Sequence, residues 1–90
     1  MKVTVKFYPN KIDLETQSTT LCALLAELQN TNKLLMKVDF FDSEHREVYP
    51  DCNVLVNGQP YQILPGGLDT KLTDGDEVEI ITYMFMLAGG

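Results

Sequence analysis

Ninety residues, 44% of them hydrophobic, supply material for one small core and none for a second. No apolar run approaches the ~20 residues of a membrane-crossing helix, so no segment is expected to span a membrane and no membrane partner is expected. The net charge is −6, with ten acidic residues from 39 to 79 against only Arg46 and Lys71, so there is no basic stripe for phosphates and nucleic acid is excluded as a partner.

The acidity serves solubility or, read functionally, makes an acidic face that steers the domain onto a basic partner. Met1-Lys2-Val3-Thr4-Val5-Lys6 alternates polar and apolar residues and is no signal peptide, so a cytoplasmic address is expected by default. Cys22 and Cys52 have no second pair with which to frame a metal site, and are expected to be free thiols in a reducing compartment.

In chain order, residues 2–8 alternate: Val3, Val5 and Phe7 face one way, and Lys2, Thr4, Lys6 and Tyr8 the other, predicting a half-buried strand. Pro9-Asn10-Lys11 is turn chemistry, and residues 12–17 return as the second strand of a hairpin. Thr20 is the expected N-cap of a helix whose Leu21, Leu24, Leu25 and Leu28 form a one-sided stripe that must pack on something flat. That helix ends in the polar cluster Gln29-Asn30-Thr31-Asn32. Leu34, Leu35, Val38 and Phe41 keep helical spacing and predict a second, shorter helix, followed by a charged loop over 42–47.

Val54-Leu55-Val56 then reads as a buried strand, Asn57-Gly58 as a hairpin turn, and residues 61–64 as a short return strand that Pro65-Gly66-Gly67 breaks. Asp74-Gly75-Asp76 is a further turn, and residues 77–83 alternate with Val78 and Ile80 on one face. The order predicts an α+β fold: one sheet with the helices on one face and a wet polar face opposite. Residues 1–83 form the domain, and residues 84–90 a tail ending in Gly-Gly.

The interior offers no catalytic set and no metal site. The one histidine, His45, sits in the charged loop Asp42-Ser43-Glu44-His45-Arg46-Glu47, which gives Ser43 neither burial nor orientation, so a solvated surface histidine is expected. Asp74-Gly75-Asp76-Glu77 lacks the twelve-residue ligand spacing of a calcium loop, and Gly66-Gly67 lacks the Gly-Lys-Ser/Thr and the following helix of a phosphate cradle. What remains is the carboxylate of Gly90. With a pKa near 3.5 it is ionised at neutral pH and is a poor electrophile until activated, for instance as a mixed anhydride with AMP. Two glycines before that carboxylate have no Cβ atoms and suit a narrow channel.

Val54-Leu55-Val56-Asn57-Gly58, then Leu68-Asp69-Thr70-Lys71-Leu72-Thr73-Asp74-Gly75-Asp76-Glu77-Val78-Glu79-Ile80, then Gly89-Gly90, resemble the small subunit of molybdopterin synthase and its sulfur-carrier relatives. Thr20-Leu21 with Leu24, Leu25 and Leu28 also fits that family's first helix, and the likeness is poorest over 29–50. The resemblance implies a β-grasp, ubiquitin-like fold: a mixed four- to five-stranded sheet, with the first and last strands side by side at its centre. It implies that the chain is a carrier rather than an enzyme, with no permanently bound cofactor.

In that family, a ubiquitin-activating-type adenylyltransferase spends ATP on the terminal carboxylate, here that of Gly90, and a sulfur donor converts it to a thiocarboxylate. The tail then enters the large subunit of molybdopterin synthase, which holds the catalytic residues. By the same resemblance Gly89 and Ala88 occupy the channel, and Phe85, Met86 and Leu87 meet the partner. Relatives usually reach the glycines through a shorter stretch, commonly with prolines. Here residues 82–87 are longer, proline-free and apolar, and either extend the last strand or lengthen the reach into a partner. A second use of the same terminus is conjugation to lysines as a ubiquitin-like modifier. A third reading is a β-grasp adaptor that never reacts.

Overall fold

The computed structural model of the chain describes residues 1–7, 10–31 and 39–83. Strand β1 (Lys2–Phe7) buries Val3, Val5 and Phe7 by simple alternation and pairs antiparallel with β2 (Asn10–Glu15), Val3 opposite Leu14 and Val5 opposite Ile12. Helix α1 (Leu21–Thr31) begins where expected: the Thr20 hydroxyl accepts the Ala23 N–H at 3.2 Å, supplying one partner that a first helical turn otherwise lacks. Its stripe of Leu21, Leu24, Leu25 and Leu28 is buried at 1% exposure or less, each side chain contributing about 1.5–3 kcal/mol of apolar burial.

After α1 the chain forms a short hairpin of β3 (Phe41–Asp42) and β4 (Glu47–Val48), then β5 (Cys52–Val56) and β6 (Gln59–Pro60) around the Asn57-Gly58 turn. Two single 3-10 turns, Tyr61–Ile63 and Gly67–Asp69, lead to the last strand, β7 (Glu77–Thr82). The main sheet runs β2-β1-β7-β5-β6, with β1 and β7 parallel and every other pairing antiparallel. The first and last strands therefore lie together at its centre. With one main helix on one face, this is the α+β, ubiquitin-like β-grasp arrangement.

Three expectations need correction. Asn10 and Lys11, read as turn residues, pair with Phe7 and Lys6, so the second strand is Asn10–Glu15 rather than 12–17. The return strand after Asn57-Gly58 is Gln59–Pro60, while residues 61–63 form a 3-10 turn. Pro60 has no N–H to extend the ladder, and the chain leaves the sheet after it, closing the turn with Leu64 N–H on the Tyr61 carbonyl at 3.1 Å. Phe41, the last member of the supposed second helical stripe, is a strand residue paired with Val48, and the rest of that stripe lies outside the described residues. Phe40 and Phe41 are both buried, which helical spacing does not anticipate. Their backbone N–H groups both donate to the Gln29 Oε1 of α1, at 2.9 and 3.2 Å, so a residue read as part of a polar helix end is a tie between α1 and β3.

The turn residues of the recognised pattern converge at the end of the sheet where β7 begins. Asn57 sits at φ 51°, a left-handed conformation that asparagine tolerates, and Gly58 follows at φ 85°. The Asn57 backbone N–H donates to the Glu77 carbonyl at 2.7 Å while its Oδ1 accepts the Glu77 N–H at 2.9 Å. Asp76 accepts from the Asn57 amide and from the Thr73 N–H and hydroxyl, and Asp74 accepts the Lys2 N–H. These polar side chains lock the start of β7 against both of its neighbours.

Burial pushes the Asp76 carboxyl up, but the bonds from the Thr73 N–H, the Asn57 amide and the Thr73 hydroxyl together prevail and hold it below its ordinary 3.8. A carboxylate with a depressed folded-state pKa gives stability that is present above 3.8 and lost as pH falls through the lowered value. Asp76→Ala is expected to cost about 1–2 kcal/mol in urea unfolding at neutral pH, allowing for partial exposure, and to flatten the acid limb of stability against pH.

Candidate functional site

The candidate site is the place where β7 releases the chain. Thr82 lies opposite Cys52, and the Tyr83 N–H still donates to the Asp51 carbonyl at 2.8 Å, so the ladder holds to the last described residue of this segment. On its other edge β7 is held parallel to β1 up to the pair Phe7 and Ile80. Tyr83 is an exposed large side chain at this rim. Gly90, Gly89 and Ala88, and the interface candidates Phe85, Met86 and Leu87, lie outside the described residues, as does the rest of the proposed tail.

Around this root lie Cys52, expected from the sequence to be a free thiol, and Tyr49, Asp39 and Asp51, which sequence reasoning did not single out. Tyr49 accepts the Cys52 N–H at 2.9 Å and donates its own N–H to the Phe40 carbonyl at 3.1 Å. The Cys52 thiol approaches the Asp39 carbonyl and the Asp51 Oδ1, each at 3.7 Å. Burial first, and then the nearby Asp51 carboxylate, push the Cys52 thiol up to about 11. At neutral pH it is a protonated thiol, so it is no nucleophile for attack on an activated carboxylate beside it. Burial, Asp42 and Asp39 likewise raise the Tyr49 phenol, which stays neutral. No short-range sequence signal brings Cys52 to the end of β7; the contact is the register of an antiparallel pair thirty residues apart in sequence.

Neighbouring polar groups serve geometry. Asp42 Oδ1 accepts the Glu44 and His45 N–H groups, and its Oδ2 meets the His45 Nδ1 at 2.8 Å. Those contacts, with the His45 N–H foremost, lower the Asp42 carboxyl, and the His45 side chain stays largely in solvent as the sequence suggests. Arg46, held at φ 57°, reaches from this hairpin to Cys22 Sγ at 3.4 Å and Asp69 Oδ1 at 2.8 Å. Cys22 and Cys52 are both free and buried. Among the described residues, no three His, Cys, Asp or Glu side chains gather as a metal site, and no helix is long and apolar enough to cross a membrane.

Among the described residues, the root of β7 supplies no group suited to react with an acyl terminus. The Asp51 carboxylate and the protonated Cys52 thiol neither activate an acyl group nor attack one. Labelling of Cys52 by a thiol reagent tests this. At pH 8 it is expected to run at least about tenfold slower than an unperturbed cysteine peptide, and to keep accelerating as pH rises toward 11, measured in a Cys22→Ala background.

Comparison with known proteins supplies what the geometry leaves open. The model of the ThiS family matches residues 3–85. Among solved structures the chain is similar to Urm1 from Trypanosoma brucei, with 29% identity, a TM-score of 0.65 and 90% of each chain covered. It is also similar to the small archaeal modifier protein 1 from Methanosarcina acetivorans, with 25% identity, a TM-score of 0.66, and 90% of this chain and 91% of that one covered. A proposed molybdopterin converting factor subunit 1 from Pyrococcus furiosus shares the fold alone, with 20% identity, a TM-score of 0.59, and 90% of this chain and 95% of that one covered. No curated protein matches the sequence.

Proposed function

The chain belongs to the ThiS family, and on that premise we propose that it is a sulfur carrier that works through the carboxylate of Gly90. The observation that carries the reading is the position of β7, clamped along both edges at the sheet centre and released at a rim that holds no reactive group of its own among the described residues. A strand held along both edges, leading through residues 83–88 to two glycines without side-chain bulk, suits presentation of a chain end to another protein's active site.

In the proposed cycle the Gly90 carboxylate attacks the α-phosphorus of ATP on a ubiquitin-activating-type adenylyltransferase, and pyrophosphate leaves. Hydrosulfide supplied by the donor then attacks the acyl carbon and displaces AMP, and loss of the S–H proton leaves a thiocarboxylate. The client that receives the sulfur is the large subunit of molybdopterin synthase, which supplies the catalytic residues. Residues 1–83 act as the rigid body and residues 84–90 as the reaching tail, with Gly89 and Ala88 in the channel and Phe85, Met86 and Leu87 against the partner. ATP is consumed by the activating partner, and no cofactor resides on this chain. The Asp51 carboxylate at the root favours a basic channel mouth, through charge complementarity that speeds encounter more than it tightens binding.

One comparison favours a second reading of the same terminus. The similarity to the small archaeal modifier protein 1, at 25% identity over 90% of this chain, supports conjugation through Gly90 to lysines of target proteins.

Intact-mass measurement of the full chain, incubated with extract of its own cells, ATP and a sulfur source, separates these readings. A gain equal to one sulfur replacing one oxygen, located at Gly90, is the expected result. Removing Gly89-Gly90 is expected to abolish that gain while leaving the melting curve unchanged. Gly90 recovered only in isopeptide-linked peptides would replace the carrier with the modifier. Neither species, where a known carrier is charged in parallel, would leave an inert interaction domain.

A further inference from the structure

The two sides of the main sheet finish differently. Beyond β5, the outward N–H groups are satisfied within the chain: Val54 donates to the Asn53 Oδ1 at 2.9 Å and Cys52 to the Tyr49 carbonyl at 2.9 Å. On the opposite side β2 is the outermost strand. The Thr16 N–H donates to the Met1 carbonyl at 2.8 Å, which sets the alternation of the β1–β2 ladder. Residues in phase with Thr16 (Leu14, Ile12 and Asn10) exchange bonds with β1, so Lys11, Asp13 and Glu15 turn their backbone N–H and C=O groups outward. Among the described residues nothing pairs with those backbone groups, and all three side chains are exposed.

Charged side chains on an outer strand usually discourage strand-to-strand association. That holds when the charges repel a second copy; here their order does the reverse. We propose that β2 is a self-docking edge, to which the β2 of a second copy adds antiparallel about a two-fold axis at Ile12. In this register Lys11 of each copy faces Asp13 of the other, on the face opposite α1, and no like charges meet. Lys11 and Asp13 are the outward-bonding residues, so the two copies exchange about four backbone hydrogen bonds. Ile12, left half-buried in one copy, meets its symmetry mate across the closely spaced, non-bonded position and covers its remaining apolar surface. The neighbouring register, centred on Asp13, would oppose two Asp13 carboxylates and is disfavoured. Glu15 is engaged in its own copy by the Met1 ammonium at 3.0 Å and is not needed in the contact.

One strand pair makes a small interface, in the class of transient contacts below about 1,200 Å² in total, so the dimer forms at high protein concentration. It leaves the β7 rim of each copy free and is independent of the carrier chemistry proposed above.

Sedimentation velocity of the full chain from micromolar to millimolar concentration tests the proposal. The expected result is a monomer–dimer equilibrium, with slower amide exchange at Lys11 and Asp13 as the dimer fills. Asp13→Lys opposes lysines at both cross-strand positions and is expected to weaken dimerisation at least about tenfold. Lys11→Asp opposes aspartates there and is expected to do the same without touching the Thr4 hydroxyl bond to Asp13. The double variant Lys11→Asp/Asp13→Lys restores the complementary order and is expected to recover the dimer. A wild-type chain that stays monomeric throughout, or a dimer indifferent to both single variants, would overturn it.

Discussion

A strand at the middle of a sheet is constrained in a way that no edge strand is, because neighbours on both sides satisfy its backbone. In this protein that strand is β7, paired parallel with β1 and antiparallel with β5. Parallel pairing of the first and last strands requires the whole intervening chain to cross over, and α1 makes that crossing with its leucine stripe against the sheet. The core is the consequence: Val3 and Val5 from β1, Val78 and Ile80 from β7, Val54 and Val56 from β5 all meet the same helix face. Freeing β7 would undo the contacts among all of them.

The two ends of β7 have different physics. Its start is a polar clamp, in which Asn57, Asp74 and Asp76 bond to backbone groups of Lys2, Thr73 and Glu77. Among the described residues its end has no comparable side-chain clamp: the last bond is the Tyr83 N–H on the Asp51 carbonyl, beside a thiol whose pKa burial pushes up. The described side-chain clamps gather at one pole of the strand, away from the end that leads to residue 84. For a protein whose proposed work is to hand over a chain end, that polarity separates folding from chemistry. Asn57, Asp74 and Asp76 belong to the stretches that carry the family resemblance, and in this chain they close the sheet.

Much of this was legible in the residues. Strict alternation in β1 and β7, a hydroxyl before a leucine stripe, and Asn-Gly at a turn are local signals, and each produced the expected element. Failures came where local signals were ambiguous. Helical spacing through Phe41 competed with strand pairing to Val48, and pairing prevailed because both phenylalanines could be buried while Gln29 satisfied their N–H groups. The hydrophobic pattern of residues 61–64 predicts a return strand there, but pairing ends at Pro60, which has no N–H to continue the ladder.

By itself, the sequence determined the class of fold, the helix cap, the core faces of the strands and the Gly-Gly that the functional proposal depends on, because propensity and periodicity act over a few residues. Only the tertiary structure decided the register of each strand pair, that Cys52 lies at the root of β7 with its thiol pushed up, that Asn57 clamps Glu77, and that β2 leaves Lys11 and Asp13 bonding outward. Those facts depend on register between segments tens of residues apart, and register is set by the packing of the whole sheet against one helix.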